Sequence, residues 1–281
     1  MAITSTSANS ASSPDTALVR TFGISLGIAT HVVFVTTVVF LYDYLANGVQ
    51  RRSPNWFVVD LLLALQFAIV HSLLLHPSVK RRLTRRWIKN EWYGLFFCLA
   101  TCAGLGLVFW AWQSTQTTIW ELHGTARLGM RIASWGSWAM LFYSLHLSGL
   151  GYQTGLTPWW YWLRKVAPPR RKFPTNSLYR FLRHPVYLSF LGLIWFTPDM
   201  TLDHALLTAV WTVYIFVGSY LKDERIAFYS GDAYRIYQSR VPGYPFFPGP
   251  LGRRVASYSD ETATMTDSTV ANSSPSIRKA A

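Results

Sequence analysis

Trp56–Leu75 reads WFVVDLLLALQFAIVHSLLL, an apolar run of 20 residues in which Asp60 is the only acid. An α-helix rises about 1.5 Å per residue, so a run of this length covers the roughly 30 Å of hydrocarbon in a bilayer. We therefore predict that this run crosses a membrane as a single helix.

Further apolar runs of the same character flank this one. We predict helices at 22–42, 92–112, 128–147, 185–196 and 202–221. The run 185–196 is short for a full crossing, so it either begins earlier, near Ser177, or forms a tight hairpin with the next run, with Pro198-Asp199 at the turn. The predicted fold is an all-α, polytopic membrane helical bundle with about five to six transmembrane helices.

The two ends of the chain have a different composition from its middle. Residues 1–16 and 251–281 are rich in Ser, Thr and Ala, and the N-terminal stretch lacks the basic start and apolar core of a signal peptide. We predict disordered tails at both ends and one integral membrane domain at 17–250.

Composition and charge support a membrane protein. Hydrophobic residues make up 51% of the chain and charged residues only 14%, against about 25% charged residues in soluble domains. The formal charge of +13 could indicate nucleic acid, but basic residues concentrate at 80–89 and 164–183, between apolar runs. Cytoplasmic loops have this distribution, and anionic lipid is the simpler partner. We predict membrane lipid as a partner, no nucleic acid, and a multi-pass protein of a bacterial-type inner membrane whose basic loops and termini face the cytoplasm.

The sequence shows no convincing metal site. Cys98 and Cys102 are four residues apart in an apolar run, on one helix face, and the histidines and cysteines lack close ligand spacing. We interpret the two cysteines as apolar core residues and predict no bound metal.

The stretch 178–187 contains the most informative chemistry. Pro185 suits the first turn of a helix, so His184 would stand at the helix N-terminus, where free N–H groups attract anions. Arg180 and Arg183 would reinforce an anion site there. The alternative is that these cations only face lipid phosphates.

A second group of candidates lies further along the chain. Glu224 follows His184 by 40 residues, and a helical hairpin would return it to the depth of His184. Alternatively, it is a solvated acid paired with Arg225 or Lys222. The aromatic faces of Phe228, Tyr234 and Tyr237 could attract a cation such as a sulfonium, or could simply pack at the interface.

Taken in order, these pieces resemble a known family. Arg-His-Pro-x-Tyr at 183–187, a helical hairpin, Asp-Glu at 223–224, Gly-x-x-Tyr-x-x-Tyr at 231–237 and Val-Pro at 241–242 resemble the isoprenylcysteine carboxyl methyltransferase-like family. Upstream, Phe-Ala-Ile-Val-His-Ser at 67–72 and Pro-Ser-Val-Lys at 77–80 resemble its NnrU and methanethiol S-methyltransferase branch.

The resemblance implies a membrane enzyme that binds S-adenosylmethionine at its cytoplasmic side, in a site formed by about 177–245. The residues that it assigns to the cofactor are Tyr179, Arg183, His184, Pro185, Tyr187, Glu224, Tyr234 and Tyr237. The sequence departs from the family pattern at Ser189, where Gly is frequent, and around His146, which no acid follows as it does in the methanethiol branch. The second departure leaves the methyl acceptor open.

Two further histidines are candidates for catalysis. His71 and His146 are each near the cytoplasmic end of a predicted span, at the depth of His184. We hypothesise that one of them accepts the substrate proton or shapes the substrate pocket, because imidazole titrates near working pH. The alternative is a buried histidine bonded to a carbonyl.

Several functions therefore stay open. The favoured one is S-methylation of a small thiol such as methanethiol, by direct transfer without a covalent enzyme intermediate. Prenylated or lipid acceptors are alternatives, as is an NnrU-like accessory or transport protein without catalysis. A haem or quinone electron carrier that uses His31, His71 and His146 is a further alternative. The oligomeric state is not predicted.

Overall fold

The computed structural model describes residues 14–169 and 173–254, so most of both predicted tails lies outside the described residues. The helices are α1 (Pro14–Asn47), α2 (Trp56–Leu75), α3 (Pro77–Arg86), α4 (Tyr93–Ala111), α5 (Gly124–Leu147), α6 (Leu150–Gln153), α7 (Leu156–Leu163), α8 (Pro185–Trp195), α9 (Leu202–Ser230) and α10 (Asp232–Arg240). Two short strands, β1 (Thr118–Glu121) and β2 (Asp199–Thr201), pair in an antiparallel ladder.

The predicted all-α membrane bundle is confirmed. Within the described ranges, four helices are long and apolar enough to cross a bilayer, namely those of α1, α2, α4 and α9. The predicted span 128–147 lies in α5, which is 24 residues long but more polar, with Arg127 and Arg131 near its start. Helix α8 is apolar but has only 11 residues, as its short run predicted.

The spanning helices pack side by side around an apolar core. Helix α2 lies between α4 and α9, α1 packs on α4, and α5 packs on α8. The close approach of α5 and α8 depends on Gly192, because a Cβ there would lie 2.1 Å from Ser137 Oγ. The main core cluster consists of Tyr44, Leu63, Ala64, Val108, Trp112, Ile194, Leu207, Trp211 and Ile215.

At the end of the bundle where α9 begins, two buried carboxylates hold the loop after α4. We call this the far end. Asp60 accepts a hydrogen bond from the backbone N–H of Gln113 at 2.9 Å. Asp203 accepts from Trp112 Nε1 at 3.3 Å and from the N–H and hydroxyl of Thr115 at 3.0 and 2.9 Å. These bonds replace the hydration that the loop groups lose on burial.

Helix α9 continues to Ser230 and is therefore longer than the predicted span 202–221. No helix breaker interrupts the intervening sequence, and Gly231, with φ +56°, ends the helix. Gly231 also occupies the cap position before α10, which begins at Asp232. Consequently α9 carries its buried face beyond the membrane core and into the other end of the bundle, which we call the near end.

Candidate functional site

The near end joins the start of α8 to the last turns of α9. His184 immediately precedes α8, and its Nε2 lies 3.2 Å from Asp223 Oδ2 of α9, 39 residues later in the sequence. The side chain of His184 is fully buried and that of Asp223 is 1% exposed. The α8–α9 hairpin therefore returns the chain to the level that it left, as the sequence predicted.

Arg183 is the centre of this network. Its side chain is fully buried, and Nε and Nη2 lie 3.2 and 3.0 Å from Asp223 Oδ2. Its other bonds go to the backbone carbonyls of Gln238, Val241, Gly252 and Pro250, at 3.0, 2.6, 2.9 and 3.1 Å. All three guanidinium nitrogens thus have protein acceptors. Arg183 therefore holds the segment 238–252 over the start of α8. The predicted contact of Arg183 with a cofactor stays a prediction.

Three tyrosines complete the network. Tyr234 donates its hydroxyl proton to Asp223 Oδ1, and Tyr237 donates to the carbonyl of Tyr179, each at 2.5 Å. Burial, and then the neighbouring Asp223 carboxylate, hold the pKa of Tyr234 far above its usual range. Burial likewise raises the pKa of Tyr237. Both hydroxyls are therefore protonated donors. Tyr234 connects α10 to α9, and Tyr237 connects α10 to the turn that precedes α8.

His184 is electrically neutral in this environment. Burial lowers its pKa to about 4, although the bond to Asp223 acts in the opposite direction. Since the Asp223 carboxylate can only accept, Nε2 carries the proton and Nδ1 presents a lone pair. The free atom of the His184 side chain is thus an acceptor, which suits an amine or a hydroxyl, and the anion site expected at the N-terminus of α8 stays a prediction.

Some buried polar atoms of the near end have no protein partner. They include His184 Nδ1 and both amide atoms of Gln238, a residue that is 1% exposed. A polar ligand or ordered water would satisfy such groups. Asp60 Oδ2 and Gln113 Oε1 at the far end also lack partners, so unpartnered atoms alone do not distinguish the two ends.

Glu224 lies at the near end but faces away from His184. Its carboxylate bonds Arg254 and lies 3.9 Å from Arg235, and its side chain is 37% exposed. The acid that contacts His184 is its neighbour Asp223, which the sequence analysis named only as part of the motif. The predicted contact of Glu224 with the cofactor stays a prediction.

A signal for Asp223 was present in the sequence. The buried residues of α9 recur every four positions, a helical period that includes Asp223 and places Glu224 on the next face. The buried residues at this spacing are Asp203, Leu207, Trp211, Ile215, Ser219, Asp223 and Ala227, and Thr208 is buried as well. Gln238 was also missed, and the sequence offered no comparable signal for it, because a lone Gln in a polar helix does not stand out.

Aromatic faces adjoin the network. Pro185 occupies the first position of α8, as predicted, and the ring of Tyr187 lies 5.6 Å from that of His184. Lys222 Nζ lies 5.4 Å and 5.9 Å from the ring centroids of Tyr187 and Tyr179. These two rings therefore already hold a cation, which shows that their faces are suited to positive charge.

The two catalytic candidates have different surroundings. His71 lies in α2 with Thr101 Oγ1 3.3 Å from its Nδ1 and with the ring of Tyr214 6.3 Å away. Tyr214 lies one turn of α9 before Gly218, whose carbonyl accepts from Tyr187 at 3.5 Å. His71 is thus close to the near-end network, whereas His146, near the end of α5, is exposed. Neither catalytic role is tested by this placement.

The basic helix α3 lies on the same side as the network. Arg225 of α9 donates to the carbonyl of Leu75, the last residue of α2, at 3.3 Å. Helix α3 follows directly, so its cations share the near end with His184 and Asp223.

Two cavities of the bundle lie apart from the network. A groove of about 530 Å³ lies between α1 and α7, lined mainly by apolar residues together with His31 and Trp159. A cavity of about 10 Å³, the size of one water, adjoins His71 between α2 and α4. No cluster of three or more potential metal ligands occurs in the described ranges.

Comparison with known proteins identifies the family. Methanethiol S-methyltransferase 1 of Bradyrhizobium diazoefficiens is 32% identical over 76% of this chain and 79% of its own length. The chain belongs to the methanethiol S-methyltransferase family. A relative of the family from a Pseudomonas strain is 30% identical over 78% of this chain and 88% of its own length. Nurim of Danio rerio is 26% identical over 66% and 68%.

No family model and no solved structure matches the chain. The relatives nevertheless confirm the resemblance inferred from the motifs at 67–80 and 183–242. Together with the spanning helices, membership of this family makes the chain an integral membrane methyltransferase.

Proposed function

We propose that the chain transfers a methyl group from S-adenosylmethionine to a small thiol such as methanethiol, at the cytoplasmic face of a bacterial inner membrane. The observation that carries the proposal is the position of the Arg183–His184–Asp223 network. It joins the start of α8, the end of α9 and α10 at the membrane side that also carries the basic helix α3. Relatives named methanethiol S-methyltransferase suggest the acceptor.

The residues present fit this cofactor. His184 Nδ1 presents a buried lone pair, suited to an amino or hydroxyl group, and Gln238 offers an unpaired amide. The faces of Tyr179 and Tyr187 suit positive charge, and a bound sulfonium would take the place of Lys222 Nζ beside them. When bound, S-adenosylmethionine supplies a methyl group that its sulfonium has already activated.

The remaining work falls to the chain's own residues. Asp223 fixes the tautomer of His184, and Arg183 holds 238–252 over the site, so that water is excluded and the reacting groups are oriented. No nucleophilic side chain is needed, because direct transfer forms no covalent enzyme intermediate.

The acceptor must lose its proton. A thiol ionises near pH 8.5, and nearby cations favour its thiolate. His71 is the better placed of the two candidate bases, because its ring lies beside that of Tyr214 on α9. Alanine at position 71 or 146 that leaves methyl transfer unchanged would reject the catalytic role of that histidine.

The test is methyl transfer by membranes that contain the protein. These are incubated with methyl-labelled S-adenosylmethionine and, separately, with methanethiol, longer alkanethiols, a prenylcysteine and phospholipid. We expect label in the methylated small thiol, and at least a hundredfold loss with Asp223→Asn. Label in none of the acceptors, from correctly folded protein that also fails to bind the cofactor, would leave the accessory or transport role.

A further inference from the structure

The loop formed by residues 244–250, with the sequence Tyr-Pro-Phe-Phe-Pro-Gly-Pro, is the least explained part of the near end. It contains no charged residue. At its base Gly243 N–H bonds the carbonyl of Gly252 at 3.1 Å, and Tyr244 N–H bonds that of Leu251 at 2.9 Å. Arg183 holds the same base through the carbonyl of Pro250. The loop is therefore a closed projection attached to the buried network.

Phe246 stands at the tip of this loop in an unfavourable state. Its side chain is fully exposed in the described part of the protein, with a relative accessibility of 104%. Its backbone has φ +64°, in the left-handed region that large side chains rarely adopt. A strained backbone that displays a large apolar ring is expected only where the ring has a favourable environment.

The direction of the loop indicates that environment. The ring of Phe247 lies 5.3 Å from that of Phe216, on α9. Phe216 precedes Asp223 by about two helical turns, so it lies about 10 Å closer to the membrane centre. The loop thus turns back from the near end along the outside of a spanning helix.

The adjoining surface of α9 is apolar and exposed. Val213, Val217 and Leu221 have relative accessibilities of 64%, 51% and 52%. In a spanning helix such a face contacts lipid, and the loop continues it. Three prolines among the seven loop residues remove backbone N–H groups that would otherwise lack partners beside hydrocarbon.

We propose that the 244–250 loop is a lipid-contacting wedge, which inserts Phe246 into the acyl-chain boundary of the leaflet at the near end. Because Arg183 connects the loop base to His184 and Asp223, the wedge would seat the segment that covers the site on the membrane. This inference rests on the membrane fold and not on the proposed methyl acceptor.

The direct test places a spin label at position 246 through Phe246→Cys, in a background of Cys98→Ala and Cys102→Ala, in liposomes. Asp232→Cys, at the exposed start of α10, is the matched control. We expect the label at 246 to be several-fold more accessible to oxygen, which concentrates in hydrocarbon, than to a water-soluble nickel chelate. The label at 232 should show the opposite order.

Either of two outcomes overturns the proposal. Accessibility at 246 like that at 232 would place the tip in water, and shielding from both reagents would mean that protein covers it. A second variant separates strain from lipid contact. Phe246→Gly relieves the backbone strain, so equal or higher thermal stability in liposomes contradicts the wedge, whereas we expect a melting temperature lower by about 2–4 °C.

Discussion

The two ends of the bundle both contain buried carboxylates, but they use them differently. At the far end, the described partners of Asp203 are all neutral, namely the indole of Trp112 and the N–H and hydroxyl of Thr115. At the near end Asp223 is bonded to the Arg183 guanidinium, to His184 and to a tyrosine hydroxyl. The first arrangement holds the loop after α4 in place. The second brings charged groups and a titratable ring together from the start of α8, from α9 and from α10.

From this difference we infer that Asp203 is a structural acid, and we propose that Asp223 is a functional one. Neutral donors satisfy a carboxylate without giving it a partner that can change its charge or tautomer. A buried cation and an imidazole are expensive to desolvate, and active sites are where such arrangements concentrate. We therefore propose that the near end serves the chemistry and the far end serves stability, and the predictions below test this difference.

The largest effect is expected from Asp223→Asn. The substitution removes the counter-charge of Arg183, whose side chain is fully buried, and breaking a buried pair in this way costs about 3–5 kcal/mol. Glu224→Gln is the matched control for stability, because its ion pairs are partly exposed and are worth at most about 1 kcal/mol. Unfolding in mild detergent measures both. Equal losses of stability in the two variants would contradict the claim that the buried Arg183–Asp223 pair contributes more than the exposed pairs of Glu224.

The next largest effect that we expect is a dependence of stability on pH, which arises from the buried side chain of His184. Its folded pKa is lowered to about 4 from 6.5, so the unfolded chain takes up a proton between these values while the folded chain does not. The contribution of neutral His184 to the free energy of unfolding is complete above pH 6.5 and is lost as the pH falls through about 4. The loss amounts to at most about 3 kcal/mol.

The measurement compares wild type with His184→Gln between pH 8 and 4. Carboxylates titrate in both proteins, so only the difference between the two curves reports His184. We expect the stability of the variant to fall less steeply below pH 6.5. Parallel curves would mean that His184 is not buried in its neutral form.

A smaller effect is expected from Gly243→Ala. A Cβ at this position would lie 2.4 Å from the carbonyl oxygen of Leu251 and 2.9 Å from His184 Cδ2, so the covering segment must shift. Overpacking of this kind costs about 1–3 kcal/mol. Gly136→Ala in α5 has open space at the added Cβ and should be neutral or stabilising. Because the covering segment borders the proposed cofactor site, we also expect Gly243→Ala to lower cofactor affinity. Unchanged affinity in this variant would contradict the comparison.

The smallest functional effect is expected at the far end. Asp203→Asn keeps one acceptor oxygen but weakens the bonds to Trp112 and Thr115, at a cost of about 1–2 kcal/mol. Methyl transfer and cofactor affinity should stay within about twofold, since the substitution is at the other end of the bundle from His184. A large loss of affinity with normal stability would show that the two ends are coupled.

The sequence predicted much of this architecture because the length of an apolar run has a direct physical consequence in a membrane. It placed the α8–α9 hairpin and the return of the chain to His184 correctly. It selected Glu224 over Asp223 because the predicted span ended at 221, so the four-residue period of α9 was not extended to the two acids. The role of Arg183 could not be read from the sequence, since its partners are the backbone carbonyls of 238–252, which carry no sequence signal.

The central claim is that the cofactor binds at the near end of the bundle. Hydrogen–deuterium exchange of the purified protein in lipid nanodiscs, with and without S-adenosylmethionine, tests it most directly. We predict slower exchange of backbone amides at 178–188, 219–227 and 234–244, and no change at 112–121 or 199–204. Protection confined to the far end, or none at saturating cofactor, would contradict the account.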